Sequence, residues 1–250
     1  MRMLGWQVAI SIAALCGTAE AGWSRVSEDR ISLDGYIGKE SYHDFLSVAE
    51  GGYREVVVNS AGGYPSVTLL IAEHVRQSGA TVVVDGVCMS ACANYIAAAG
   101  SRLVIECGSV LAWHGGLQSV AQAKVAMAAS GVPSPVIDAY APWLSEFKNR
   151  EAAFFRATGV DMSILGDSVA AVETAGITPA VTFEIDDVTG EYSYTTSAAF
   201  WVPARSDLES YGFNAEFSCS AYSDADISRY LARAGIGAPF TTLSRSRLSP

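Results

Sequence analysis

The chain has 250 residues, half of them hydrophobic and 17% charged, with 26 acidic residues against 16 basic ones for a net charge of -10. That composition supplies apolar material for one sizeable core and falls outside the range of disordered chains. The acidic balance, with no basic patch, argues against nucleic-acid binding, which needs clustered Lys and Arg to neutralise phosphates.

The N-terminus carries Arg2, an apolar run from Gly5 to Cys16, and then Ala19-Glu20-Ala21 before Gly22. A short basic start, an apolar stretch and a small-residue site describe a cleaved export signal over residues 1–21. The run is shorter than the ~20 residues that span a bilayer, so no stable membrane span is expected after cleavage. Leu15 stands where a lipoprotein signal wants a small residue. The expected location is therefore extracytoplasmic, periplasmic or secreted. Cys88, Cys92, Cys107 and Cys219 then form an even set in a compartment that permits disulfides. Three pairings are open, and free buried thiols at Cys88 and Cys92 are a fourth possibility.

Ile31-Leu33-Gly35-Ile37 alternates as a strand does, and a short helix is expected from Glu40 to Ala49. Glu55–Val58 is a β-branched run suited to a strand buried on both faces, ending in Asn59-Ser60-Ala61-Gly62-Gly63. Val67, Leu70, Ile71, His74 and Val75 then recur at helical spacing. A second buried strand is expected at Thr81–Val84, a turn at Gly86, and an alanine-rich helix from Ala91 to Ala99. Short strands at Leu103–Glu106 and Val110–Trp113 lead to His114. Strands alternating with helices predict crossover units and an α/β core around a mainly parallel sheet.

Residues from Gly115 to Pro135 show no strong period, and a helix is expected from Trp143 to Thr158. Val181–Ile185 and Glu191–Thr195 read as strands flanking a hairpin turn at Asp187-Val188-Thr189-Gly190. Phe200–Pro250 reads as an extension packed on the surface. The expected organisation is a core domain over residues 22–175 and a C-terminal extension over 176–250.

Three strand-ending turns carry residues suited to catalysis. In Ser60-Ala61-Gly62-Gly63 the glycines allow close backbone approach, and free N–H groups at a helix start stabilise an oxyanion. Each turn also has a plain reading, and a Gly-Gly pair between strand and helix is commonly only a turn. In Gly86-Val87-Cys88-Met89-Ser90-Ala91-Cys92, Ser90 either caps the helix or is a nucleophile beside the Ala91 N–H. In Trp113-His114-Gly115-Gly116, the imidazole of His114 has the near-neutral pKa that a general base for serine requires. His43 lies in a polar helix, and His74 on a helical face where a satisfied boundary histidine is the simpler reading.

In order and spacing these stretches, Val57 to Gly63, Gly86 to Gly100 and Leu111 to His114, resemble the proteolytic subunit of Clp protease and its exported relatives, within the Clp-protease/crotonase-like superfamily. The resemblance covers about Ile31 to Gly116 and is loose beyond. It implies a serine peptidase or related hydrolase with Ser90 as nucleophile, His114 as base, and an oxyanion site from Gly62, Gly63 and the Ala91 N–H. It further implies a carboxylate after the long helix, Asp161 or Asp167 with Asp167 preferred, although either could instead cap a helix. The substrate would be a peptide or other acyl compound. No cofactor or metal is implied. The segment after His114 departs from the protease pattern, so a homo-oligomer is possible but stacked rings are not expected.

Competing readings are a catalytically silent relative that binds peptides or a partner in the same cleft, and acyl-coenzyme A chemistry, which export disfavours. A Ser-Lys dyad is a third, but Lys39, Lys124 and Lys148 lie in no motif linked to Ser90. The cysteines lack zinc-type Cys-x-x-Cys pairs, and no His-Glu-x-x-His is present.

Overall fold

The computed structural model describes residues 22–116, 119–129, 131–177, 180–185, 192–197, 199–220 and 222–248, with the backbone alone given at 180–185 and 192–197. The expected export signal over residues 1–21 and the expected turn at Asp187–Gly190 lie outside the described residues.

Six strands line up in one sheet: β1 (Gly22–Arg25), β2 (Arg30–Asp34), β3 (Glu55–Ser60), β4 (Thr81–Met89), β5 (Arg102–Ile105) and, at the far edge, β10 (Ala215–Phe217). A seventh, β6 (Val110–Ala112), pairs with the second half of β4. Every pairing is parallel except β1 with β2. The architecture is therefore mixed α/β with a mainly parallel sheet. Val56, Val58, Val82, Val84, Leu103 and Ile105, at every second position, are buried on one face; of the other face Val83 is buried as well, whereas Val57 and Val104 are only half-buried, so β4 alone is covered on both faces as expected.

Helices α1 (Ser41–Ala49) and α2 (Pro65–Ser78) form the first two crossovers. On α2 the buried residues are Thr68, Leu69, Ile71, Ala72 and Val75. The core-facing stripe is thus rotated from the expected one, and Val67, Leu70 and His74 stand at its margin. His74 accepts or donates a 2.8 Å hydrogen bond with the Tyr42 hydroxyl, as a boundary histidine does.

The expected turn at Gly86 is a bend inside a longer strand. β4 continues to Met89, its first half pairing with β3 and β5 and its second with β6. The bend is held by the Asn59 carboxamide, which accepts from the Val87 N–H at 3.0 Å and donates to Asp34 at 2.9 Å. Ser109 Oγ accepts from the Gly86 N–H at 2.8 Å. A side chain at Gly86 would meet Asn59 Oδ1 at 2.3 Å, so only glycine fits here.

The segment after Ser90 is a π-helix, Cys92–Ala97, buried throughout. Helix α3 (Val120–Ala129) lies where no period is visible, because its apolar residues are spread around the whole helix. Helix α4 begins at Ser134 and runs through Pro142 to Thr158, earlier than the expected start at Trp143. Helix α5 (Ile164–Thr174) follows, and β7 (Ala180–Ile185) and β8 (Tyr192–Ser197) form a separate antiparallel hairpin.

Residues beyond 199 enter the core instead of only covering it. Besides β10, strand β9 (Phe200–Trp201) exchanges two hydrogen bonds with Trp113 and pairs with β11 (Phe240–Thr241). Trp201, Leu208 of α6 (Arg205–Ser210) and Tyr211 are buried in the main core, and α7 (Asp224–Arg233) packs Ile227 and Leu231 on the β6 side.

Candidate active site

β4 and β6 end side by side, with Met89 paired to Ala112, so the residues that follow each strand emerge together. Ser90 follows one and His114 lies two positions after the other. Ser90 Oγ and His114 Nε2 are 2.6 Å apart.

Ser90 has φ 55°, and among the described residues no other non-glycine residue has a positive φ. A left-handed serine costs about 1–2 kcal/mol relative to the right-handed region, so surrounding contacts have to hold it. The Ser90 N–H donates to Ala112 O at 3.3 Å and Ser90 O accepts from the Asn94 N–H at 2.8 Å. A disulfide joins Cys88 to Cys92 around it. The residue is not a side-chain cap: its hydroxyl faces the imidazole and leaves the π-helix start uncapped.

His114 is held by its surroundings. The preceding Trp113 is anchored on both backbone groups by Trp201, and the Phe200 ring meets the imidazole edge-on at 5.5 Å. The next residue, Gly115, has φ 102°, a Cβ there would lie 2.5 Å from Val169, and its carbonyl accepts from Asn94 Nδ2 at 3.2 Å. Burial pushes the His114 pKa below the ordinary histidine value, partly offset by its own backbone. The imidazole is therefore neutral at pH 7, the form that accepts a proton.

The glycine turn abuts the serine. A Cβ on Gly62 would stand 2.7 Å from Met89 O, 2.8 Å from Ser90 Cβ and 3.0 Å from Ala91 N. The Gly62 N–H itself is spent on Ser60 Oγ at 3.1 Å. Among the described residues, the N–H groups of Gly63 and Ala91 have no acceptor.

Neither aspartate is hydrogen-bonded to His114. Asp167 accepts from the Tyr211 hydroxyl at 2.6 Å and faces Arg245 Nε at 3.5 Å. Asp161 accepts from the Ser163 N–H at 2.9 Å, which holds its carboxyl below the usual range, and lies 3.4 Å from Arg245. The reason is helical phase. α5 turns Leu165, Ser168 and Val169 toward Gly115, so Asp167 falls on the other side, facing the C-terminal segment. Asp161 closes a turn ahead of α5, a local role of the capping kind. The lysines are engaged elsewhere: Lys124 with Asp138, Lys148 with Glu151, and Lys39 over the Tyr64 ring.

Asn94, Phe200, Trp201 and Arg245 escaped the sequence reading. Asn94 had a signal, being a carboxamide in an otherwise apolar, alanine-rich stretch; the other three act through contacts distant in sequence. Among the described residues no group of three His, Cys, Asp or Glu side chains could hold a metal, and no helix is long and apolar enough to cross a membrane.

No family model matches this chain, and no curated protein matches it. Among solved structures, a mutant of the membrane-bound stomatin-specific protease 1510-N aligns with 42% of this chain and 65% of its own, at 15% identity and a TM-score of 0.27. This chain thus spans just under two thirds of that structure's length.

Proposed function

We propose that this protein is an exported serine hydrolase of the Clp-protease/crotonase-like superfamily that cleaves peptide or other acyl bonds through an acyl-serine intermediate. The observation that carries the reading is the 2.6 Å contact between Ser90 Oγ and an imidazole nitrogen of the half-buried His114, on a serine held in a left-handed turn. A serine that only capped a helix would turn its hydroxyl toward backbone N–H groups.

In the proposed reaction Ser90 gives its hydroxyl proton to His114 Nε2 as Oγ attacks the substrate carbonyl. The N–H groups of Gly63 and Ala91 receive the oxyanion, while Gly62 supplies the space that lets the turn approach Ser90. His114 then protonates the leaving group, and water, activated by the same nitrogen, hydrolyses the acyl-serine. The site works as a dyad: Phe200 and the Asn94–Gly115 hydrogen bond orient the histidine where a triad would use a carboxylate. Two disulfides support an oxidising, extracytoplasmic location.

The test is labelling of the full-length secreted protein by a fluorophosphonate, with mass spectrometry of the modified peptide. Labelling at Ser90, abolished in Ser90→Ala and reduced at least ~100-fold in His114→Ala, is the expected result. A folded, oxidised sample that takes no label would favour the second reading, a silent relative that binds peptides in the same cleft. That no carboxylate among the described residues is hydrogen-bonded to His114 is the observation behind that alternative.

A further inference from the structure

The two disulfides differ in what they can stabilise. Cys107–Cys219 closes a sequence separation of 112 residues, Cys88–Cys92 one of only 4. Because the entropy removed from the unfolded chain grows with the logarithm of the loop, the short bridge contributes least to global stability. Its effect is confined to Met89, Ser90 and Ala91.

Those three residues make an abrupt passage from strand to helix. Four steps of extended chain cover about 13 Å, whereas the Cα atoms of Cys88 and Cys92 are 5.3 Å apart. Cys88 is fixed in the sheet between Ser60 and Leu111, and Cys92 opens the buried π-helix. Both are fully buried. The bridge therefore closes the turn at its two ends, while Gly62 packs directly against Met89, Ser90 and Ala91 within it. Of the remaining restraints on the strained φ, the Ser90 N–H bond is long at 3.3 Å.

We propose that the Cys88–Cys92 disulfide is a positioning element for Ser90: it holds the left-handed turn that lays Oγ on His114, so the site is competent only in the oxidised protein. The activity arm rests on the hydrolase reading; the geometric arm does not. In forming the bridge, two thiols give up two protons and two electrons to a disulfide-bearing exchange partner, which leaves as its dithiol. Without the bridge, Ser90 relaxes toward the right-handed region and Oγ leaves the imidazole.

The experiment compares the full chain with C88A/C92A and C107A/C219A by fluorophosphonate labelling rate, NMR titration of the His114 ring nitrogens and thermal melting. In C88A/C92A the labelling rate should fall about 100-fold, the loss that an angstrom of misplacement brings. The His114 ring-nitrogen titration should shift, since the Ser90 hydroxyl no longer meets Nε2. C107A/C219A should lower the melting temperature yet leave both site readouts unchanged per folded molecule. Native labelling rate and native titration in C88A/C92A would overturn the proposal. If the native protein takes no label but its titration shifts as described, the positioning role stands and the hydrolase reading falls; no label and no shift removes both. Should C88A/C92A fail to fold, the native protein is titrated with a small phosphine while Cys88 and Cys92 alkylation is followed. Label uptake lost in step with their appearance as thiols supports the proposal, and uptake persisting after it refutes the proposal.

Discussion

Gly62 lies against Ser90 with no room for a side chain: a Cβ on the glycine would stand 2.8 Å from the serine Cβ, at a φ of 101° that L-residues avoid. Gly62→Ala should thus both strain the turn and push Ser90 from His114. The expected cost is about 1–3 kcal/mol of stability and a fall of about 100-fold in fluorophosphonate labelling, read by thermal melting and labelling rate. Full labelling in a stable Gly62→Ala protein would show that the close approach has no part in placing the nucleophile.

The pH dependence follows from the partial burial of the imidazole. Burial lowers the folded-state pKa of His114 below the ordinary value near 6.5, so between the two values the unfolded chain binds more protons than the folded one. Stability contributed by the neutral ring is therefore present above pH ~6.5 and is lost as pH falls through the folded pKa. Labelling of Ser90 should share that limb, staying flat through neutrality and dropping only below pH ~6.5. The sensitive control is His114→Gln, whose acid unfolding midpoint should fall relative to the native protein.

Asp167 is tied to the C-terminal segment and not to the imidazole. Asp167→Ala should leave the labelling rate within about 3-fold of native, well short of the ~10⁴-fold drop seen when a working triad loses its carboxylate function. Stability should fall by about 1–3 kcal/mol, because the buried Tyr211 hydroxyl loses its acceptor. The Arg245 contact adds little to that, both partners being about a third exposed. A loss of labelling beyond 100-fold, with the fold intact, would restore Asp167 as an orienting carboxylate.

This contrast between Ser90 and Asp167 shows which parts of the site were legible in the sequence. Ser90 and His114 each stand just past a buried strand, and parallel pairing of β4 with β6 brings neighbouring strand ends together, so local pattern was enough. The partners of Asp167 are Tyr211 and Arg245, both far along the chain, and helical phase on α5 decides which way the carboxylate faces; neither is written in local spacing. The same limit hid β10, whose three residues Ala215-Glu216-Phe217 are too short to show a period. The long β4 was obscured differently: Gly86 reads as a turn, and only Asn59 and Ser109 satisfying its flanks turn it into a bend.

The Cys107–Cys219 bridge is where the C-terminal strand is made permanent. β10 has only three residues against β5, followed by one more bond from the Ser218 N–H to Ile105 O at 3.0 Å. A strand that short at an open edge frays unless something pins it, and the disulfide joins the residues just beyond both strands. Closing a loop of over a hundred residues is worth about 4–5 kcal/mol in the chain-entropy account. C107A/C219A should therefore lose roughly 3–5 kcal/mol in denaturant unfolding and admit rapid hydrogen exchange along β10. The Trp113–Trp201 pairing, which anchors the histidine independently of β10, should stay protected. Equal loss of protection at both places would mean that the edge strand and the histidine anchor unfold as one unit.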